Sequence, residues 1–113
     1  MEFEAIIGLE LHIQMKTKSK LFSSAPVTFG KEPNTQVDIV DMGYPGVMPT
    51  VNKQAVINAL RLCNALHMHI DDTLIFERKN YYYSDLPRGY QITQQFRPLV
   101  TLSYLSNSIN AFT

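Results

Sequence analysis

Between Ala5 and Met15 the chain alternates, with Ala5, Ile7, Leu9, Leu11, Ile13 and Met15 on one side and Ile6, Gly8, Glu10, His12 and Gln14 on the other. A period of two residues predicts a half-buried strand. Lys16-Thr17-Lys18-Ser19-Lys20 is polar and basic, and Phe22 to Pro33 carries Ser, Pro and Gly without periodicity, so a long connection is expected there. Val37 to Met42 reads as a second short strand. Tyr44-Pro45-Gly46-Val47 has the chemistry of a type II turn, because proline presets φ at its position and glycine accepts the positive φ that follows. Asn52 is a good N-cap, and Ala55, Val56, Ala59, Leu60, Cys63 and Leu66 recur at helical spacing, giving an apolar stripe of about three turns. Leu74 to Tyr83 alternates again, Ser84 to Gly89 supplies turn residues, and Tyr90 to Gln94 resumes an extended pattern, which together predict a hairpin. Strands joined by hairpins and a helix imply an α+β fold, a mainly antiparallel sheet with a flanking helix.

The pattern changes after Arg97. Pro98 to Thr113 holds no charged side chain and turns to Leu, Ser, Asn, Ile and Thr, a composition poorly suited to either surface or core.

Composition narrows the function classes. With 113 residues the chain can hold one ordinary domain at most. Ten Lys and Arg balance ten Asp and Glu, so contact with a polyanion has to come from a local cluster rather than from net charge. Cys63 is the only cysteine, which excludes an internal disulfide and a multi-cysteine zinc site and fits a reducing compartment. The acidic start Met1-Glu2-Phe3-Glu4 is unlike a signal peptide, and no apolar run approaches the roughly 18 residues of a membrane helix. The chain therefore reads as cytoplasmic, with no membrane partner.

Three clusters carry candidate chemistry. Glu10 and His12, two apart on a predicted strand, leave the same face and can converge on one cation, although two ligand types also occur on ordinary solvent-facing strands. Lys16, Lys18 and Lys20, with hydroxyls between them, suit a phosphate or are a solvated basic loop. Arg78-Lys79-Asn80-Tyr81-Tyr82-Tyr83-Ser84-Asp85, followed by Arg88 and Tyr90-Gln91, interleaves cations with aromatic faces, as a nucleotide or RNA end requires and as a core-flanking aromatic strand also displays. His67 and His69 straddle the end of the predicted helix and receive no role.

Five blocks taken together resemble a known family. They are Ile7-Gly8-Leu9-Glu10-Leu11-His12-Ile13-Gln14, Lys16 to Ser23, Glu32-Pro33-Asn34-Thr35, Gly43-Tyr44-Pro45-Gly46-Val47-Met48-Pro49 with Asn52, and Arg78 to Tyr83 with Asp85, Pro87 and Gly89-Tyr90-Gln91-Ile92. In this order they resemble the N-terminal part of the B subunit of the aspartyl/glutamyl-tRNA amidotransferases, over about residues 2 to 98. The resemblance implies an incomplete part of a larger catalytic domain in residues 1–98. From about Leu99 the family's expected continuation is absent, so residues 99–113 stand as an aberrant tail, consistent with a frame change, a truncated gene or disorder.

The resemblance also implies an activity. The B subunit of this family uses ATP and Mg²⁺ to activate the side-chain carboxylate of Glu or Asp misacylated on tRNA(Gln) or tRNA(Asn), and ammonia released from glutamine by an amidase subunit then displaces the phosphate. A small third subunit completes the complex. By the same resemblance His12 is a Mg²⁺ ligand with Glu10 beside it, and Glu10, Lys79 and Tyr81 are the catalytic candidates. Lys18, Lys20, Tyr83, Asp85, Tyr90 and Gln91 are expected to line the pocket for ATP and the tRNA acceptor end. The short chain alone is expected to be a poor enzyme; the competing expectations are a truncated, non-catalytic nucleotide-binding or interaction module, and an unstable product.

Overall fold

The computed structural model describes residues 3–7, 10–101, 103–105 and 109–111. They form an α+β arrangement of one helix, α1 (Lys53–Ala65), and six short strands: β1 (His69–Ile70), β2 (Glu77–Asn80), β3 (Tyr90–Thr93), β4 (Val100–Thr101), β5 (Ser103–Leu105) and β6 (Ile109–Ala111). Every pairing is antiparallel and two-stranded, β1 with β4, β2 with β3 and β5 with β6. Among the described residues no helix is long and apolar enough to cross a membrane.

The helix begins where its cap chemistry places it. Asn52 is in the extended region, and its Oδ1 accepts from the backbone N–H of Gln54 at 2.9 Å and of Ala55 at 3.4 Å, satisfying donors that the first turn leaves without partners. The amide end of the same side chain donates to the Ser19 carbonyl and hydroxyl and to the Lys20 carbonyl, and the Asn52 backbone N–H donates to Leu21 O at 2.8 Å. One residue therefore caps the helix and ties it to the basic loop. At the other end His67 takes φ 54°, and the N–H groups of His67 and Met68 donate to Asn64 O and Cys63 O, closing the last turn.

The apolar stripe faces inward, with Ala55 and Cys63 buried. Leu21, Ala55, Val56, Ala59, Leu74, Phe76 and Leu99 enclose a small apolar cavity of about 130 Å³, and Phe22 meets Phe76 edge-on at 5.2 Å. Burial raises the pKa of the Cys63 thiol. The closed part of the interior is small, since Ala25, Ala55 and Cys63 are the buried apolar residues among those described. The chain exposes 9796 Å², whereas a compact protein of its mass exposes about 6,300 Å². Its radius of gyration is 17.3 Å against about 13 Å for a closed domain of this length.

Among the described residues two expected strands are absent. In the Ala5 to Met15 segment, Gly8 and Leu9 lie outside the described residues, and the remainder forms no ladder; Ile6, Ile7 and Leu11 are all strongly exposed. Alternation produces a half-buried strand only when a neighbouring strand takes its hydrogen bonds and a layer covers its apolar face, and no described element does either. Val37 to Met42 is a turn instead. Asp38 Oδ1 accepts from the N–H of Val40 at 2.8 Å and of Asp41 at 3.1 Å, and Met42 N–H donates to Asp38 O. An aspartate bonding its own downstream backbone competes with a ladder and here wins.

Side chains fasten this turn to the long connection. Ser24 donates through both its N–H and its hydroxyl to Asp38 Oδ2, at 2.7 and 2.8 Å. Partial burial opposes ionisation of Asp38, but the hydrogen bonds from Ser24, Asp41 and Val40 outweigh it and hold the carboxyl below its ordinary pKa. Lys20 Nζ and Ser23 Oγ both donate to Asp41 Oδ2, at 3.1 and 2.9 Å. Across the β1–β4 pair, Arg97 makes a two-pronged ion pair with Asp71, both distances 2.7 Å, and Nη2 reaches Asp72 at 3.4 Å. The Arg97 hydrogen bonds, followed by that from the Thr73 N–H, hold the Asp71 carboxyl far below its ordinary value of 3.8.

Two outcomes follow from these ties. Asn52→Ala removes a cap and three outward bonds, and chemical denaturation should show a loss of about 1 to 2 kcal/mol. Because the Asp71 pKa is depressed on folding, its stabilisation is complete above pH 3.8 and fades as the pH falls below that value toward the folded pKa. Thermal melts should therefore show wild type losing stability in that acid window, while Asp71→Asn starts lower at neutral pH and changes less through it.

Candidate functional site

The β2–β3 hairpin carries the densest chemistry. Its register pairs Glu77 with Thr93, Arg78 with Ile92, Lys79 with Gln91 and Asn80 with Tyr90, and Tyr81 N–H donates to Gly89 O at 3.0 Å to continue the pairing. Since side chains alternate across a strand, Arg78, Asn80, Tyr90 and Ile92 share one face, and Glu77, Lys79, Gln91 and Thr93 share the other. Glu77 caps the exit of β3 by accepting from the N–H groups of Gln95 and Phe96.

On the first face two cations gather on one ring. Arg78 Cζ lies 4.5 Å from the Tyr90 ring centroid, the diagonal arrangement expected for its register, and Arg88 Cζ lies 5.4 Å from it. Arg88 Nε also donates to Tyr90 O at 2.9 Å, and Arg78 Nη2 contacts Met48 Sδ at 3.8 Å. Opposite them stands the Tyr44-Pro45-Gly46-Val47 turn, with Gly46 at φ 78° and Val47 N–H directed at Tyr44 O. Gly43 brings the two segments together. It takes φ 71°, and a Cβ there would lie 2.8 Å from Arg88 Cα, so a side chain at this position would push the turn off the hairpin. Between turn and hairpin is a cavity of about 250 Å³.

On the hairpin loop, Tyr81 Oη donates to Asp85 Oδ2 at 3.1 Å, and the Tyr81 and Tyr83 rings lie 5.0 Å apart at 55°. The Asp85 hydrogen bond, followed by partial burial and the carboxylate's charge, raises the Tyr81 phenol above its ordinary 10.0. Tyr81 thus stays protonated and acts as a hydrogen-bond donor near neutral pH. The basic loop forms a second concavity, of about 410 Å³, lined by Lys16, Thr17, Lys18, Ser19, Asn52 and Gln54 beside the N-terminus of α1. Lys18 is exposed there, whereas Lys20 is engaged with Asp41.

The sequence-predicted residues are thus divided. Lys79 and Gln91 are register partners on one face of the hairpin, Tyr90 is on the opposite face with the two arginines, and Tyr81, Tyr83 and Asp85 cluster on the loop between strands. Lys18 and Lys20 belong to the loop before α1. Glu10 and His12 are both exposed and in no ladder, and no group of three or more His, Cys, Asp or Glu able to hold a metal occurs among the described residues. A carboxylate and an imidazole fit a divalent cation by type, but this pair by itself is two ligands. Sequence reasoning passed over the convergence of Arg78 and Arg88 on Tyr90; hairpin parity places Arg78 and Tyr90 on one face, while Arg88 reaches the ring from the loop across Gly89, which no period signals.

Residues 5–111 match the family described as the GatB/GatE catalytic domain. The chain belongs to that family. It is 53% identical over 111 residues to the B subunit of the aspartyl/glutamyl-tRNA(Asn/Gln) amidotransferase of Mesoplasma florum, a match covering 98% of this chain and 23% of the relative. The corresponding B subunit of Legionella pneumophila strain Corby is 55% identical over 106 residues, covering 94% and 22%. That of Macrococcus caseolyticus is 50% identical over all 113 residues, 24% of its own length. The chain therefore spans about a quarter of the length of these curated relatives. The span matched to the GatB/GatE family runs through β4, β5 and β6.

The Tyr81–Asp85 bond is directly measurable. Tyrosine-selective NMR titration should show Tyr81 ionising above pH 10.0, and Asp85→Asn should return it toward that value.

Proposed function

We propose that this chain forms part of the ATP-dependent activating subunit of a cytoplasmic tRNA-dependent amidotransferase, a glutamine-hydrolysing carbon–nitrogen ligase complex. The single observation that carries the reading is the 53% identity to an amidotransferase B subunit over 98% of the chain. In this reading the misacylated Glu or Asp carboxylate attacks the terminal phosphate of ATP, ADP leaves, and ammonia displaces phosphate from the resulting acyl phosphate to give the amide. The partners are the amidase subunit that frees ammonia from glutamine, a small third subunit and the acceptor end of the misacylated tRNA.

The residues have parts that suit this chemistry. Phosphoryl transfer needs positioning and charge neutralisation more than covalent help from the protein. Lys79 and Gln91, adjacent across the hairpin, contribute a cation and an amide for the phosphates and the carbonyl. Tyr81, kept protonated by Asp85, donates a hydrogen bond to an anionic oxygen, while Tyr83 offers a ring for a base to stack on. Lys18 extends the positive surface from the loop before α1, where Lys20 would join it only by leaving Asp41, and Tyr90 lies on the far face of the same hairpin. Glu10 and His12 would supply two ligands of a Mg²⁺ site, an ion that commonly keeps several waters and uses few protein ligands. Bound there, Mg²⁺ would neutralise phosphate charge.

His12→Ala, placed in the full-length subunit with its partner subunits, should abolish ATP-dependent amidation of misacylated tRNA and leave glutamine hydrolysis measurable. Amidation at the wild-type rate would remove the metal role.

A further inference from the structure

Of the cavity between the Tyr44-Pro45-Gly46-Val47 turn and the β2–β3 hairpin, only Tyr90 enters the reading above. Its wall includes Val40, Tyr44, Met48 and the hairpin residues Arg78, Arg88 and Tyr90, and no acidic residue lines it. Among the described residues the ion pairs are Lys20–Asp41 and Arg97 with Asp71 and Asp72, so neither Arg78 nor Arg88 has a carboxylate at ion-pair distance. Two guanidinium groups gathered on one tyrosine ring repel each other, and both line the same open space. Such a pair is stabilised by an oxyanion that accepts from both.

The geometry points to an oxyanion subsite in which Arg78 and Arg88 together hold one phosphoryl group, seated against Tyr90 and the Pro45-Gly46 turn. Size selects the ligand. About 250 Å³ is below the roughly 300 to 1,000 Å³ of sites that enclose a whole small molecule, so the cavity takes one phosphoryl group while the rest of its carrier lies outside. Charge agrees, because two uncompensated guanidiniums match a phosphoryl dianion better than a single carboxylate. The face is opposite to that of Lys79 and Gln91, so this contact is separate from theirs. The source of the phosphate, a free nucleotide or an RNA backbone, rests on the function proposed above; the subsite itself does not.

The test is calorimetric titration of the full 113-residue chain with inorganic pyrophosphate, without metal, at low and moderate salt. Binding is expected, weakening as salt rises. Arg78→Gln and Arg88→Gln should each weaken it by about tenfold, with helix content unchanged by circular dichroism, and Arg61→Gln, an equal charge change on the exposed side of α1, should leave it as in wild type. Met48→Glu is the second arm. It keeps both arginines and sets a carboxylate beside Arg78 at a largely exposed position, so it should abolish pyrophosphate binding without loss of folding. Competition by adenosine diphosphate or by a five-nucleotide RNA then identifies the carrier, and either supports the subsite. Absence of pyrophosphate binding, undiminished binding by Met48→Glu, or an equal loss in Arg61→Gln would overturn it. If the full-length subunit with its partner subunits fails to amidate misacylated tRNA while pyrophosphate still binds through the two arginines, the proposed function falls and the subsite stands.

Discussion

The register of the β2–β3 hairpin is the constraint on which the placement of nearly every charged and aromatic candidate depends. Pairing Arg78 with Ile92 and Asn80 with Tyr90 puts Arg78 diagonal to the Tyr90 ring and leaves Lys79 beside Gln91 on the reverse face. Slipping one strand by one residue would move its entire set of side chains to the other face and scatter both groups. The turn at Asp38 to Gly43 reinforces the register from outside. Its glycine packs so closely on the backbone of Arg88 that the two segments fit in one arrangement.

Closed burial is limited in this structure, and directional bonds fix how its segments meet. The apolar interior is a cluster around Ala55, Phe22 and Phe76 with a small cavity at its centre, and the exposed area exceeds that of a compact protein by about half. Shape is conveyed by short polar ties: Asn52 to the basic loop, Ser24 to Asp38, Lys20 and Ser23 to Asp41, and Arg97 to Asp71. Such ties are individually modest and become informative when several share a segment, as they do around Asp38 and Asp41. That network is also what holds Lys20 away from the basic concavity and leaves Lys16 and Lys18 lining it.

The elements legible in the sequence are those whose signal is local. Asn52 followed by an apolar stripe produces the helix, Pro45-Gly46 produces the turn, and the turn residues between Ser84 and Gly89 produce the hairpin. The alternation at Ala5 to Met15 reads as a strand because the period is real, but a ladder also needs a partner, which a period cannot reveal. Val37 to Met42 departs for a different reason: its aliphatic residues conceal Asp38, whose side chain captures the backbone donors a strand would have offered its neighbour. For the site, the residue types are legible and their grouping is not, since Tyr90 and Gln91 are adjacent in sequence yet face opposite ways. Family membership is legible because five separated blocks keep their order, a pattern that composition alone does not supply.

The most direct test is a side-chain NMR measurement on Arg78 and Arg88. If the hairpin gathers both guanidinium groups over Tyr90, the side-chain protons of Arg78, with its Cζ 4.5 Å from the ring, should be shifted upfield by the ring current. Those of Arg88, at 5.4 Å, should be shifted less. Both shifts should vanish in Tyr90→Leu while cross-strand contacts between Arg78 and Ile92 persist. Random-coil shifts for both arginines in wild type, with those cross-strand contacts intact, would contradict the account.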